Sequence, residues 1–178
     1  MKNVVVISTS LRTNSNSDAL AKQFEKGAKE AGNQVEFISL RGKNIGFCLG
    51  CLSCQSSGSC VIQDDVSEIM EKVLKADVVV WATPIYYYEM SGQMKTLIDR
   101  LNPMYSKHYH FKDVYFLATA TEDGDYVYEK AVNGLQGWID CFDGVSLKEV
   151  VFCGNVTSPN EIKNNSKLQE AYEMGKQV

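Results

Sequence analysis

The sequence predicts an α/β chain: a doubly wound, parallel sheet with helices on both faces. Two observations carry that prediction. Short apolar runs rich in β-branched residues recur along the chain, and each is followed by a stretch with helical periodicity. A third bounds the size. The 178 residues contain no repeat, no low-complexity linker and no composition break, so residues 1–178 are expected to form a single domain with a Cys-rich loop at about 41–63.

The strands come first. Val4-Val5-Val6-Ile7, Val78-Val79-Val80-Trp81, Val114 to Ala118 and Val150-Val151-Phe152 are apolar throughout, as strands covered on both faces must be. Val35 to Leu40 instead alternates polar and apolar residues, which fits a strand near the sheet edge beside the first. Five strands result.

Helices are expected between them. Ser17 to Ala31 places Leu20, Phe24 and Ala28 on one face before Gly32. Asp65 to Lys75 opens with Asp65-Val66-Ser67-Glu68, a capping-box pattern, and places Ile69, Val73 and Ala76 together. Further helices are predicted from about Gly92 to Asn102, from Tyr126 to Phe142, and from Ser166 onward.

Composition narrows the function. The formal net charge is −4 and the lysines are scattered, so no basic footprint for nucleic acid is present. The apolar run Val4 to Ile7 is too short for a signal-peptide core and nothing downstream resembles a spanning helix, so a cytoplasmic chain with no membrane partner and with reduced thiols is expected.

In an open parallel sheet the ligand lies outside the carboxyl ends of the strands, so the loops there carry the site. After the first strand comes Ser8-Thr9-Ser10-Leu11-Arg12-Thr13-Asn14-Ser15-Asn16-Ser17, a polar loop running into a helix start. Backbone N–H groups, the helix dipole, hydroxyls and Arg12 suit one terminal phosphate. The competing reading is a capped helix with a polar turn. The loop lacks both the Gly-x-Gly-x-x-Gly and the Gly-Lys-Ser/Thr fingerprints, which favours a mononucleotide such as FMN over bound NAD or ATP.

Ser10 to Ser17 resembles the Gly-Ser-x-Arg-x-x-Ser/Gly-Asn-Thr/Ser loop of the NADPH-dependent FMN reductase family, with Thr9 in place of the usual Gly and Leu11 in place of the frequent Pro. The segment Thr83-Pro84-Ile85-Tyr86, followed by Met94-Lys95 and Asp99-Arg100, is similar to further segments of the same family. The resemblance implies a flavodoxin-like three-layer sandwich whose five parallel strands run 2-1-3-4-5. It also implies an FMN phosphate on the first loop, with Ser10, Arg12, Asn14, Ser15, Asn16 and Ser17 as candidates.

Three successive tyrosines, Tyr86-Tyr87-Tyr88, offer planar faces at the end of a strand, where Pro84 stiffens the turn. They suit a flavin ring, or alternatively the seal of a dimer interface. Thr83, Pro84, Ile85, Tyr86 and Tyr87 are taken as one wall of the ring pocket, and Thr119, Ala120 and Thr121 as another. Lys95, Asp99 and Arg100 read as a helix-borne ion-pair set near the site.

Cys48, Cys51, Cys54 and Cys60 have the spacing C-x2-C-x2-C-x5-C. Three readings stand: a 4Fe-4S cluster, whose ferredoxin run the first three match; bare or disulfide-forming thiols; and zinc, which usually separates two pairs by a longer loop. The spacing also resembles that of the iron-sulfur flavoproteins, an offshoot of the same family, in which four thiolates hold a 4Fe-4S cluster near the flavin. Cys141 and Cys153 read as core residues.

Together the resemblances imply an oxidoreductase that moves hydride from a transiently bound NAD(P)H to FMN and on to a small-molecule or protein acceptor. The alternative is an iron-sulfur electron carrier with no nicotinamide activity of its own. No side chain is expected to be catalytic, because the flavin carries the reaction. With the tyrosines and the cysteine loop projecting over one edge, a homodimer or homotetramer is expected.

Overall fold

The computed structural model describes residues 1–178. In chain order its main elements are β1 (Asn3–Ser8), α1 (Asn16–Glu30), β2 (Gln34–Ser39), α2 (Ser53–Ser57), α3 (Val66–Lys75), β3 (Val78–Tyr86), β4 (Glu89–Met90), α4 (Gly92–Arg100), β5 (Asp113–Thr119), α5 (Glu129–Ile139), β6 (Ser146–Cys153) and α6 (Ser166–Lys176). Single turns of 3-10 helix at Asn102–Ser106 and Asp125–Val127 follow α4 and precede α5.

Five strands pair in parallel in the order β2-β1-β3-β5-β6, the doubly wound arrangement that the sequence predicts. The sheet nevertheless has six strands, not five. Glu89 and Met90 turn back antiparallel on Tyr86 and Ile85 as β4. Two residues cannot show a period, so this strand left no readable pattern in the sequence.

Strand alternation divides the core. Val4 and Val6 face α1 and α6, where Leu20, Phe24, Ala171 and Met174 meet them. Val5 and Ile7 face the other layer, packed with Ile69 and Val73 of α3, Leu97 of α4 and Leu135 of α5. Both sides of β1 and β3 are thus covered, which is why residues 4–7 and 78–82 are apolar throughout.

Glycine brings α1 and α6 together. A Cβ on Gly27 would stand 2.0 Å from the Tyr172 carbonyl oxygen, and one on Gly175 would stand 2.2 Å from that of Phe24. Backbone therefore touches backbone at this crossing, and the Tyr172 hydroxyl donates to Glu30 beside it. No helix of the chain is long and apolar enough to cross a membrane.

The capping-box expectation at Asp65 is corrected. Val66 N–H is capped by Asp64 (3.1 Å), while the Asp65 carboxylate accepts from the Asn44 N–H (2.7 Å) and pairs with Lys43 (3.0 Å). Asp65 is drawn into holding the incoming loop, and Asp64, one residue earlier, serves the helix.

Candidate functional site

The carboxyl ends of β1, β3, β5 and β6 open on one edge of the sheet. There a small cavity of about 120 Å³ is lined by Ser10, Arg12, Ser15, Asn16, Pro84, Ile85, Tyr86, Thr119, Ala120, Thr121 and Thr157. A broader groove of about 440 Å³ continues from it along Ile85, Tyr86, Tyr87, Tyr88, Ala120, Thr121, Glu122 and Val127. The two share Ile85, Tyr86, Ala120 and Thr121 as a common wall.

The small cavity is lined by groups that could hold an anion. Ser15 caps α1, its hydroxyl accepting from the Asp18 N–H at 3.4 Å. The N–H groups of Ser15, Asn16 and Ser17 have no acceptor in the protein, as the first turn of a helix requires. Arg12 Nη1 donates to the Thr157 carbonyl at 2.6 Å and makes no ion pair, so its charge is uncompensated. No carboxylate lines this cavity. Free donors, a helix N-terminus and one cation without an acid fit a phosphate dianion.

Not every candidate lines the cradle. Asn14, at φ 55°, is exposed and turns the loop. Ser17 is wholly buried, its hydroxyl 3.0 Å from that of Ser15. The Asn16 side chain is consumed by the protein, giving to the Ser158 carbonyl (3.0 Å) and accepting from the Ile162 N–H (3.2 Å). It has a backbone N–H left to offer. Thr83 is also fully buried: its hydroxyl donates to the Pro84 carbonyl (3.0 Å) and accepts from the Ser91 N–H (3.1 Å). These residues shape the loops.

Tyr87 and Tyr88 form a two-residue hairpin turn between β3 and β4 with φ of 53° and 64°. Such turns usually hold Asn-Gly, because both residues must adopt positive φ. Holding bulky residues there costs on the order of 1–3 kcal/mol each and is sustained only by surrounding contacts. Those contacts are visible. The Tyr88 hydroxyl donates to Glu122 at 3.1 Å, Tyr126 donates to the same carboxylate at 3.4 Å, and Lys130 stands over the Tyr88 ring at 5.4 Å. The Glu122 hydrogen bond pushes the Tyr88 phenol above its usual pKa.

Thr157 and Val127 line the site without having been singled out for it. Thr157 sits in a segment after β6 that is held by Glu161, whose carboxylate accepts from the N–H groups of Thr157 (2.6 Å) and Ser158 (2.7 Å). Those two bonds, Ser158 first, keep Glu161 below its ordinary pKa. The stretch Asn155-Val156-Thr157-Ser158-Pro159-Asn160 is polar and follows a strand's carboxyl end, which was the available signal.

A second cavity, about 290 Å³, lies between the cysteine loop and the end of α4. Cys48, Cys51, Cys54 and Cys60 all line it, with Leu49, Val61, Arg100 and Asn102 among the other walls. All four thiols are free. Asn102 donates to Cys54 Sγ at 3.0 Å and the Gly50 N–H to Cys48 Sγ at 3.4 Å. Hydrogen bonds from the Ser53 hydroxyl and N–H hold the Cys51 thiol below its usual pKa. These are donors suited to thiolates.

No three of these side chains converge on one point as a single ion needs. Zinc requires four ligands within about 2.3 Å of a common centre, which this arrangement does not provide. In a 4Fe-4S cluster each thiolate takes a different iron at a corner of the cube, so ligands spread around one cavity fit it better.

Arg100 is not part of a surface ion-pair set with Lys95 and Asp99, which pair with each other at 2.6 Å. Its guanidinium is buried against Asp64, with Nη1 at 2.6 Å and Nη2 at 3.0 Å from the two carboxylate oxygens. Nη1 also reaches the Gly46 carbonyl (2.7 Å) and Nη2 that of Ile62 (3.3 Å). One residue of α4 thereby ties down both ends of the cysteine loop.

Residues 2–157 match the family described as NADPH-dependent FMN reductase. The chain belongs to this family. An iron-sulfur flavoprotein of Methanocaldococcus jannaschii is 39% identical over 101 residues, 57% of this chain and 52% of that protein. One of Methanosarcina thermophila is 25% identical over 175 residues, covering 97% of this chain and 91% of its own length. This chain thus spans about half the length of some curated relatives and nearly the whole of others. Among solved structures, an NAD(P)H:quinone oxidoreductase from Methanothermobacter marburgensis superposes with a TM-score of 0.74 over 98% of both chains, at 17% identity. The family's flavodoxin-like fold agrees with the sheet order observed here.

Proposed function

We propose that the chain is an FMN-dependent oxidoreductase that uses NAD(P)H to reduce a small-molecule or protein acceptor. One observation carries this reading: a cradle of unpaired donors at the start of α1 opens directly into an aromatic groove, and no acid intrudes on the cradle. In this reading the N–H groups of Ser15, Asn16 and Ser17, the Ser10 and Ser15 hydroxyls and Arg12 hold the phosphate. Pro84, Ile85, Tyr86 and Tyr87 line one side of the ring and Thr119, Ala120 and Thr121 the other. Asn14 and Thr83 act through the backbone they shape.

When bound, FMN supplies the hydride-accepting ring, and the protein binds and orients it. The groove is open on the Tyr87 side, where that ring is almost fully exposed. A nicotinamide donor and then an acceptor can therefore reach one face in turn. The test is anaerobic purification with an absorption spectrum, followed by steady-state turnover with NADH, NADPH and a quinone. Protein that binds no FMN, or flavin-loaded protein that neither nicotinamide reduces, would overturn the assignment.

A second reading rests on the cysteine cavity. We infer that Cys48, Cys51, Cys54 and Cys60 ligate one 4Fe-4S cluster, which would exchange electrons with the flavin or with a partner protein. The names and likeness of the iron-sulfur flavoproteins support this, as do four free thiols around one cavity with N–H donors beside them. Iron analysis after anaerobic, iron-replete expression tests it; substantially fewer than four iron atoms per chain would reject it.

Residues 1–178 are read as one domain carrying the cysteine-rich loop. The exposed Phe47, Leu49, Leu52 and Val61 of that loop, with Tyr86 and Tyr87, favour a homodimer or homotetramer that covers them. Reduced thiols suit a reducing compartment such as the cytoplasm.

A further inference from the structure

The guanidinium of Arg100 carries five N–H donors, and four of them are used: two on Asp64, one on the Gly46 carbonyl and one on that of Ile62. The fifth, on Nε, has no partner, although the side chain is fully excluded from solvent. A buried donor on a charged group is rarely left unpaired, because its hydration is lost and nothing replaces it. The vacancy needs an acceptor.

Its direction follows from the shape of the group. The two Nη atoms grip Asp64 end-on, so Nε–H lies along the side edge that it shares with the second N–H of Nη2. That second N–H points at the Ile62 carbonyl, two residues beyond Cys60. The same edge therefore faces the Cys60 to Ile62 segment, and Cys60 and Arg100 both line the cysteine cavity.

We propose that Arg100 is a positioning residue for the cysteine cavity, its spare Nε–H donating to the sulfur of Cys60 when that sulfur ligates the cluster. This rests on the cluster reading of the same cavity. A cationic donor on a ligating sulfur stabilises the more negative, reduced cluster and raises its reduction potential. Asp64 holds the guanidinium in plane, and the Gly46 and Ile62 carbonyls fix the loop around it. Arg100 thereby couples the end of α4 to the electron affinity of the cluster without touching iron.

The chain has only three arginines, Arg12, Arg41 and Arg100, and the first two lie together beside the phosphate cradle. Wild-type holoprotein grown with isotopically labelled arginine nitrogen, reduced and examined by pulsed EPR, should show an arginine nitrogen coupled to the cluster spin. In Arg100→Lys, with iron content matched to wild type, that coupling should vanish and the cluster potential should fall while the flavin potential stays fixed. A wild type with four irons but no arginine coupling overturns the proposal, as does a variant with an unchanged cluster potential. A wild type that holds no iron overturns the cluster reading itself. The isotope measurement uses the native chain, so a variant that fails to fold does not protect the idea.

Discussion

The Tyr88 hydroxyl donates to the Glu122 carboxylate at 3.1 Å and so joins the turn after β3 to the loop after β5 across the mouth of the candidate flavin groove. Both tyrosines of that turn sit at positive φ, and the clasp is among the contacts that hold them there. Removing the carboxylate should loosen the groove and leave the sheet intact. Glu122→Ala is expected to raise the KM for nicotinamide and acceptor severalfold with little change in melting temperature. Unchanged KM values would show that the clasp plays no part in shaping the groove.

Arg12 is held only by a carbonyl, that of Thr157, and has no acidic partner. Its charge is therefore available to a ligand. Arg12→Ala should weaken FMN binding by about 1–3 kcal/mol, the value of a charge-assisted hydrogen bond, and should leave folding unaffected. Titration calorimetry of apoprotein with FMN measures it. Equal affinities would remove Arg12 from the cradle.

Substitution at the α1–α6 crossing sets two effects against each other. Alanine at position 175 gains about 1 kcal/mol of helix propensity over glycine. Its Cβ would lie 2.2 Å from the Phe24 carbonyl oxygen, and backbone cannot step aside as a side chain can. The overlap costs about 1–3 kcal/mol or more. Gly175→Ala is thus expected to lower the denaturation midpoint, and an increase would mean that the two helices separate freely.

The sheet was legible in the sequence because the middles of β1, β3 and β5, residues 4–7, 78–82 and 114–118, are covered on both faces and so must be apolar. The short hairpin at Glu89 was not, since two paired residues leave no periodicity and Tyr87-Tyr88 is the opposite of usual turn chemistry. The polar cavity at the start of α1 was legible as a cluster of Ser, Thr and Asn after the first strand. What each residue does there was less so: Asn16 and Ser17 look alike as phosphate ligands in one dimension, yet the Asn16 amide is spent on the Ser158 loop and Ser17 is wholly buried. The role of Arg100 depends on Asp64, thirty-six residues away, a pairing that no local pattern encodes.

That pairing makes a prediction in pH. Burial alone would raise the pKa of Asp64, but hydrogen bonds from Arg100 and from the N–H groups of Gly46 and Val66 outweigh it and leave the carboxyl below its ordinary value. A carboxyl depressed in the folded state stabilises the fold fully above its unfolded pKa, near 3.9, and loses that contribution as pH falls through the lower folded value. Asp64→Asn keeps the shape but leaves the Arg100 charge buried and unpaired, which should cost about 3–5 kcal/mol at neutral pH. The gap between wild type and variant, followed by denaturant unfolding, should be constant above about pH 5 and shrink below the unfolded pKa. A gap that persists undiminished through the acid range would mean that folding does not lower the pKa of Asp64.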